Sequence, residues 1–347
     1  MSQTDFSPRP WVEVRGIYGW FLPEMEEGRP LAEGGVNAVF MSAETVTREI
    51  ADSLHAQGLR VFAEFNTMHE ARYVEEHPDA APAGTDGQPC PPWDGWQGVC
   101  PTHADYRAGK MARFQQVLAT SDVDGMWMDY HHSHASWERA EPILPDTCFC
   151  PRCLARFTQE TGIALPPEAT QAAAQLLGEH RAAWVAWRCG VFTDWVREFR
   201  AILDSTKPSA LLGSFHCPYS ESDREGALRE KLAIDLKAQA AYLDVFSIMP
   251  YHARFGHATD PAWISRQVTW LGQHLGITGA PGERHRIWPI VQLADWGETV
   301  PVEQVAGALD HGTRLPATGV TVFAWDSLKK QTDKVAALAR FYHAIRP

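Results

Sequence analysis

Short runs of apolar and β-branched residues recur along the chain and alternate with stretches of helical periodicity. Eight runs have the length and continuous apolar character of parallel strands buried on both faces. They are Val12–Phe21, Ala38–Ser42, Arg60–Phe65, Gly125–Tyr130, Ala210–His216, Val245–Pro250, Ile287–Leu293 and Val320–Trp325. Between them, the pattern predicts helices at Ala43–Gln57, Ala104–Thr120, Ala182–Leu203, Glu303–His311 and Asp333–Ile345.

Strand–helix alternation repeated eight times indicates an α/β fold of the (β/α)8 TIM-barrel class. A doubly wound open sheet is the alternative, but the first strand runs into GIYGWFLPE and not into a Gly-rich phosphate loop. The turns after strands seven and eight, ADWGE and AWDSLKK, also disfavour a phosphate-binding barrel. The 347 residues fit one barrel domain spanning 1–347.

Two connections are too long for plain links between a strand and a helix. They cover residues 66–106 and 131–180, after strands three and four, where barrel enzymes build their active sites. The first is rich in Pro, Gly and Asp, yet Trp93 and Trp96 predict a packed loop. We therefore expect two long loop insertions at the active-site face.

The net charge of the chain limits the classes of partner that it can bind. A net charge of −12 without a basic run excludes nucleic acid, whose phosphates require clustered Lys and Arg. The N-terminus MSQTDFSPRPW lacks the apolar core of a signal peptide, and no apolar stretch approaches the roughly 18 residues that span a bilayer. The sequence thus predicts a cytoplasmic protein without membrane contact or organic cofactor, and leaves homo-oligomerisation open.

Four cysteines predict a metal site. Cys148, Cys150 and Cys153 form C-x-C-x-x-C, and Cys100 lies in the preceding long loop. Thiolates at this spacing suit tetrahedral Zn²⁺, which here would be structural and would join the loops after strands three and four. Free cysteines in a reducing compartment are the alternative, and Cys90 is a possible substitute for Cys100.

This cysteine pattern resembles the zinc cluster of family 42 β-galactosidases. The segments GVCPTHADYR, DGMWMDY and CFCPRCLARF also resemble a broad set of poorly characterised glycosidase-like barrels. The resemblance covers roughly Gly98–Phe157 and implies a barrel that acts on a glycosidic bond of an oligosaccharide or glycoside. One departure matters: family 42 carries Asn-Glu at the end of strand four, where this chain has Asp129 and Tyr130. The mechanism of that family therefore cannot be transferred.

Glycoside hydrolysis generally uses two carboxyl groups that flank the scissile bond. Asp129 is the leading candidate, because it ends an apolar strand where an acid is costly unless it faces the barrel mouth. The sequence does not single out the second carboxyl group. Asp326 at strand eight ranks first, Glu64 in strand three second and Asp295 after strand seven third, although each could instead be structural. Glu138 and Glu298 lie further into loops.

Histidines near the strand ends raise a second class of function. His131, His132 and His134 follow strand four, His216 ends strand five and His252 follows strand six. A metal-dependent hydrolase would use such histidines, but it usually needs a pair at the first strand, where this chain has none. We interpret His131, His216 and His252 as candidates for binding sugar hydroxyls.

Aromatic residues at strand ends could stack on the apolar faces of a sugar. Trp20, Tyr251 and Trp325 are the predicted platforms, with Trp127 and Trp296 as further candidates, and Gln292 is a predicted polar contact. Core packing is the alternative for each. The sequence favours a glycoside hydrolase with a structural zinc over the metal-dependent hydrolase and over a barrel that binds sugar without cleaving it.

Overall fold

A single sheet of parallel strands forms the centre of the molecule. The computed structural model describes residues 6–21 and 31–346. Its strands are β1 (Val14–Tyr18), β2 (Ala38–Ser42), β3 (Arg60–Asn66), β4 (Gly125–Asp129), β5 (Leu211–His216), β6 (Val245–Ile248), β7 (Arg286–Ile287), β8 (Ile290–Gln292) and β9 (Gly319–Phe323). Their spatial order is β7-β6-β5-β4-β3-β2-β1-β9-β8, and each pairing is parallel.

The first and last strands of this sheet are two parts of one interrupted strand. Only Trp288 and Pro289 separate β7 from β8. Strand β7 pairs with β6, β8 pairs with β9, and Ile287 also bridges Ala317 just before β9. Proline has no N–H to donate, so the ladder breaks there, although the Pro289 carbonyl still accepts from the Thr321 amide at 2.9 Å. The nine strands therefore occupy eight barrel positions, which confirms the predicted (β/α)8 class.

Helices surround the sheet. They are α1 (Arg48–Ala56), α2 (Ala71–Glu76), α3 (Ala104–Thr120), α4 (Pro151–Thr161), α5 (Ala169–Leu177), α6 (Arg181–Thr206), α7 (Ala227–Glu230), α8 (Leu236–Gln239), α9 (Ala262–Leu275), α10 (Val302–Gly312), α11 (Trp325–Leu328) and α12 (Thr332–Ala344). Short 3-10 turns occupy Leu31–Gly34, Pro78–Ala80 and Asp223–Glu225. Of the helices described, none is long and apolar enough to cross a membrane.

Large aromatic side chains fill the lower barrel. The Trp127 ring packs against Phe40, Phe62 and Trp288 at centroid distances of 4.7–5.5 Å. Its indole Nε1 donates to Ser247 Oγ of β6 at 2.9 Å, so both side chains point inward. A Cβ at position 213 would lie 2.2 Å from the Trp127 ring, and glycine is therefore required there. Because side chains alternate along a strand, the inward position of Trp127 places Asp129 inward as well.

The two long loops lie at the carboxyl ends of β3 and β4 and contact each other. The loop after β3 is ordered by antiparallel bridges at His69–Gly98, Ala83–Pro89 and Trp93–Trp96. The Trp93 ring stacks on His134, which belongs to the loop after β4, at 4.5 Å. The two tryptophans therefore pack, as the sequence predicts. Together the loops form one wall above the barrel mouth.

Candidate active site

Asp129 lies at the last position of β4 and faces the mouth of the barrel. Its Oδ1 accepts a hydrogen bond from the Tyr130 amide at 2.8 Å, and its carbonyl accepts from Thr67 N and Oγ1 at 3.0 Å each. Tyr130 has φ 51°, a left-handed conformation that costs a bulky residue about 1–3 kcal/mol. Its ring is held against His69 at 4.7 Å and Trp96 at 4.6 Å. The surrounding structure thus imposes the turn that directs the Asp129 carboxylate.

A cavity of about 290 Å³ opens directly above Asp129. Its walls combine aromatic rings, a few apolar side chains and three carboxyl groups. The residues that line it are Tyr18, Trp96, Asp129, Tyr130, Glu138, Phe215, Met249, Tyr251, Ile290, Trp296, Phe323, Ala324 and Asp326. A concave, mostly apolar site with a few convergent acids, at the carboxyl end of a parallel barrel, is typical of an enzyme active site.

Glu138 is the acid that the structure brings into this cavity beside Asp129. It lies nine residues beyond the end of β4, in the long loop, and its main-chain oxygen accepts from Arg254 Nε at 2.7 Å. The sequence ranking placed it below Asp326, Glu64 and Asp295. Its loop offers several acids, and no periodicity of the chain indicates which of them turns back towards the barrel.

Burial raises the pKa values of Asp129 and Glu138 to different extents. It raises the pKa of Asp129 to about 6, against the hydrogen bond from the Tyr130 amide, which favours the charged form. The pKa of Glu138 rises further, to about 8, because of burial and of the neighbouring Asp129 charge, while the Arg254 guanidinium opposes the rise. Near pH 7, Asp129 is therefore mainly ionised and Glu138 mainly protonated.

Arg254, in the loop after β6, joins three segments of the mouth. Besides its bond to Glu138, its guanidinium contacts the Glu298 carboxylate at 3.0 Å and lies over the Trp296 ring at 4.6 Å. Its amide donates to Gln292 Oε1 of β8 at 3.1 Å. Arg254 thus fixes the loop that carries Glu138 against the aromatic wall. Gln292, predicted to contact substrate, is fully buried and holds this arginine.

Glu64 is buried in β3 two register positions below Asp129, since Glu64 pairs with Trp127 whereas Asn66 pairs with Asp129. Burial and the Asp129 charge raise the pKa of Glu64 to about 8, and the Lys110 ammonium opposes this rise. Its side chain is not among the described residues that line the cavity. Glu64 therefore lies below Asp129, is influenced by the Asp129 charge, and does not line the space where a ligand fits.

Glu64→Gln is expected to flatten the dependence of stability on pH. The carboxyl group ionises near pH 4.5 in the unfolded chain and near 8 in the folded one, so wild-type stability falls as pH rises between these values. The amide removes this loss, so the variant gains up to a few kcal/mol at pH 8 and little at pH 5. Thermal unfolding across pH 5–9 measures it, with the exposed Glu303→Gln as control. An equal gain at both pH values would contradict the burial argument.

The other two predicted acids have different surroundings. Asp326 lines the cavity, and its Oδ2 accepts from the Trp20 amide at 3.1 Å, which ties the end of β1 to α11. Asp295 is exposed, pairs with Lys334 Nζ at 2.8 Å and accepts from the Val300 amide at 2.9 Å. The described lining of the cavity does not include Asp295. Of these two, only Asp326 can contact a ligand bound there.

The predicted histidines form bonds within the protein. His131 bonds Thr67 Oγ1 at 3.2 Å and the Phe192 carbonyl at 2.9 Å, and His252 bonds Gln304 Oε1 at 3.1 Å. His216 follows Phe215, which faces the cavity, so the His216 ring points to the outer side of the barrel near Phe246. Within residues 6–21 and 31–346, no group of three potential metal ligands includes a mouth histidine. Their geometry therefore does not support the metal-dependent hydrolase.

Tyr251 belongs to an aromatic wall on one side of the cavity. Its ring stacks on Phe323 at 5.1 Å, and Phe323 contacts Tyr18 at 5.5 Å and Trp296 at 5.2 Å. Trp20 and Trp325 are not in the described lining of the cavity. The Trp20 amide donates to Asp326, and Trp325 directly precedes Asp326 in the chain. Trp127 lies deeper, in the barrel core. The structure thus assembles a stacking surface mostly from residues other than those that the sequence ranked first.

The four predicted cysteines converge. The Sγ atoms of Cys100, Cys148, Cys150 and Cys153 all lie within 4.8 Å of one another and are buried, and Cys100 Sγ is 3.6 Å from both Cys150 Sγ and Cys153 Sγ. Four sulfurs around a tetrahedral Zn²⁺, at a Zn–S distance of about 2.3 Å, would be about 3.8 Å apart. The group can therefore hold a metal, and Cys90 is not part of it.

The cysteines of the cluster come from two parts of the chain, the loop that contains Cys100 and the short segment 148–153. Cys150 caps the start of α4, where its Sγ accepts from the Cys153 amide at 3.5 Å, and Cys148 Sγ accepts from the Ala83 amide at 3.3 Å. Cys100 comes from the loop after β3. The cluster thus joins the loops that follow β3 and β4, and none of its four cysteines is in the described lining of the cavity.

Comparisons with known proteins concern the fold. No family model matches the sequence, and no curated protein matches it. The structure is similar to the glycoside hydrolase domain of PgaB (BpsB) from Bordetella bronchiseptica, with a TM-score of 0.71 and 14% identity over 95% of this chain and 98% of that domain.

Larger glycoside hydrolases are similar over part of their length. A GH42 β-galactosidase from G. stearothermophilus has a TM-score of 0.64 and 12% identity, over 99% of this chain and 58% of that one. The α-L-fucosidase isoenzyme 2 from Paenibacillus thiaminolyticus has a TM-score of 0.58 and 13% identity, over 95% of this chain and 49% of that one. The resemblance to family 42 is thus confirmed at the level of fold, and the chain has the barrel fold of these glycoside hydrolases.

Proposed function

We propose that this protein is a glycoside hydrolase in which Asp129 and Glu138 are the two working carboxyl groups. The observation that carries the proposal is their placement: both line one aromatic-walled cavity at the mouth of the barrel. Two carboxyl groups that share a site and ionise at different pH values are the usual arrangement of acid/base hydrolases.

The surroundings of each acid suggest its role. Asp129, with a pKa of about 6, is available as a carboxylate to attack the anomeric carbon or to activate water, and it would stabilise the positive charge that develops on the sugar. Glu138, with a pKa of about 8, holds the proton that the leaving oxygen needs. Each group is therefore in the required ionisation state between about pH 6 and pH 8.

The aromatic wall supplies binding rather than chemistry. Tyr251, Phe323 and Trp296 line the cavity, and the apolar face of a pyranose can stack on aromatic rings of this kind. Asp326, which also lines the cavity, offers a carboxylate to sugar hydroxyls. A cavity of about 290 Å³ accommodates one or two sugar residues, so we expect a small glycoside or a chain end to be the substrate.

A panel of nitrophenyl glycosides that covers the common hexoses, pentoses and deoxyhexoses in both anomeric forms tests the proposal. We expect the wild type to release nitrophenol from at least one of them and the double variant Asp129→Asn/Glu138→Gln to release none above background. Saturable binding of sugars without release from any nitrophenyl or natural disaccharide substrate would instead indicate a sugar-binding barrel.

We further propose that the four-cysteine group holds a structural zinc ion. The support is its donor set: four buried thiols at sulfur separations that suit tetrahedral coordination. Bound there, the ion would fasten the loop after β3 to the start of α4, which leads out of the loop that carries Glu138. Its contribution would be to folding and loop position, because no cysteine of the group lines the cavity described above.

Cys150→Ser is expected to lower the zinc content from one ion per chain to much less and to reduce the midpoint of thermal unfolding by several degrees. Any remaining activity should fall in parallel with the fraction of folded protein. Elemental analysis and calorimetry measure both quantities. Cys90→Ser is the matched control, since Cys90 is buried but lies outside the group. Full metal content in Cys150→Ser would contradict this assignment.

A further inference from the structure

A buried histidine beside the cavity has no protein partner for its ring. His69 follows β3, is 5% exposed, and neither Nδ1 nor Nε2 has a hydrogen-bond partner among the described residues. Burial of unsatisfied polar atoms is costly, on the order of 1–3 kcal/mol each, and buried polar groups in proteins nearly always have a partner. The unsatisfied ring nitrogens of His69 therefore indicate that something hydrogen-bonds there.

A second, much smaller cavity adjoins this ring. Its volume is about 20 Å³, and it shares Trp96, Tyr130 and Glu138 with the large cavity. The polar side chains in its described lining include His69, His132, Ser136 and Glu138. A single water needs about 10–15 Å³ of such space and two to four polar partners. The cavity is thus large enough for one water and too small for a sugar group.

The polar side chains around this small cavity are not equally free. His132 Nδ1 donates to the Ser133 carbonyl at 2.7 Å, and its Nε2 accepts from Trp137 Nε1 at 2.8 Å. The Ser136 hydroxyl donates to an Asp94 carboxylate oxygen at 2.5 Å. The His132 ring and the Ser136 hydroxyl therefore already have hydrogen-bond partners within the protein. The His69 ring and the Glu138 carboxyl group keep the capacity to bind a water between them.

We propose that one ordered water occupies this small cavity and bridges a His69 ring nitrogen to the Glu138 carboxyl group, so that His69 is a positioning residue for Glu138. The bridge itself is independent of the reaction, and only its consequence for catalysis rests on the proposed function. Through the water, His69 fixes the rotation of the Glu138 carboxyl group. The hydrogen bond from Arg254 reaches only the main-chain oxygen of Glu138 and therefore does not fix this rotation. Stacking on Tyr130 at 4.7 Å fixes the ring in turn.

The effect of this water on ionisation has a definite sign. Burial keeps the pKa of His69 well below its usual value, so the ring is neutral and can donate from one nitrogen and accept at the other. Hydrogen bonds to an ionised carboxylate are about twice as strong as those to a neutral one, so the water favours the charged form of Glu138. The ionisable groups around Glu138 and its cavity are Asp129, Asp326, Arg254, Tyr18, Tyr130, Tyr251, His69 and His132.

Crystal structures of the wild type and of His69→Phe, together with carboxyl ¹³C NMR, test the proposal. Phenylalanine retains the stacking on Tyr130 but cannot bind the water. We expect a water within hydrogen-bond distance of both groups in the wild type, its loss in the variant, and a rise of about one unit in the pKa of Glu138. The Glu138 signal is assigned by its disappearance in Glu138→Gln, and His77→Phe, at an exposed ring, is the control.

Kinetics provide a separate measurement. For a cleavable glycoside, His69→Phe should lower kcat about tenfold, leave KM nearly unchanged and move the basic limb of the pH profile upward, whereas His69→Gln should restore part of kcat. A wild-type crystal without this water, or an unchanged Glu138 pKa in His69→Phe, overturns the proposal. If the water and the pKa rise are found but no glycoside is cleaved, the bridge stands and the proposed function fails.

Discussion

Asp129→Asn should lower kcat/KM for an aryl glycoside on the order of 10³-fold without loss of the fold. The amide has nearly the same shape and can still accept from the Tyr130 amide, but it can neither attack the anomeric carbon nor deprotonate water. It also lacks the charge that would stabilise an oxocarbenium-like transition state. Because burial disfavours the Asp129 carboxylate in the wild type, the variant should be at least as stable at neutral pH.

Steady-state kinetics on the best substrate of the panel, with thermal unfolding on the same samples, measure this prediction. Asp295→Asn is the matched control, because it makes the same substitution at another strand end but outside the cavity lining that the structure describes. It should keep activity within a few-fold of the wild type. Near-normal turnover by Asp129→Asn, or a loss of the same size in Asp295→Asn, would show that the reacting carboxylate lies elsewhere.

Glu138→Gln should cause a loss that depends on the leaving group. A poor leaving group, such as the hydroxyl oxygen of a second sugar, must be protonated as it leaves, so kcat/KM should fall about 10³-fold. Dinitrophenolate leaves without protonation, so the loss for its glycoside should be about tenfold or less. The wild-type pH profile of kcat/KM should rise near pH 6, where Asp129 ionises, and fall near pH 8, where Glu138 loses its proton. The variant should lack the fall with the activated substrate.

A series of aryl glycosides with leaving groups of different acidity, assayed from pH 5 to 9.5, makes this measurement. Glu141→Gln is the control, since it alters an exposed acid three residues further along the same loop. A loss in Glu138→Gln that is uniform across leaving groups, together with an unchanged basic limb, would remove Glu138 from the role of acid. Asp326 would then be the next candidate, as the third carboxyl group that lines the cavity.

The sequence predicted the fold because parallel strands that are covered on both faces read as continuous apolar runs. The interruption at Trp288 and Pro289 was not visible, because both residues prolong the apolar run of the seventh strand. Asp129 could be located since it ends such a run. The inward direction of its side chain, by contrast, is established by a cross-barrel contact from Trp127 to Ser247, residues 120 positions apart.

The acid beside Asp129 shows where sequence reasoning ends. Glu138 is placed by a hydrogen bond to Arg254, 116 residues further along the chain, and no local pattern reports such a contact. His216 illustrates the same limit, because a shift of one residue in strand register decides whether a side chain faces the cavity or the surrounding helices. The cysteine group was accessible from sequence, since three of its members are close together in one short segment.

The two carboxyl groups belong to parts of the molecule with different tolerance to change. Asp129 is part of the hydrogen-bonded sheet, whose geometry cannot drift without cost to the whole barrel. Glu138 is carried by the loop after β4, and connecting loops tolerate insertions and substitutions better than the strands they connect. Descendants of this chain could therefore relocate the proton donor relative to a fixed carboxylate, and so adapt to new leaving groups, by remodelling one loop and its arginine anchor while the barrel beneath stays unchanged.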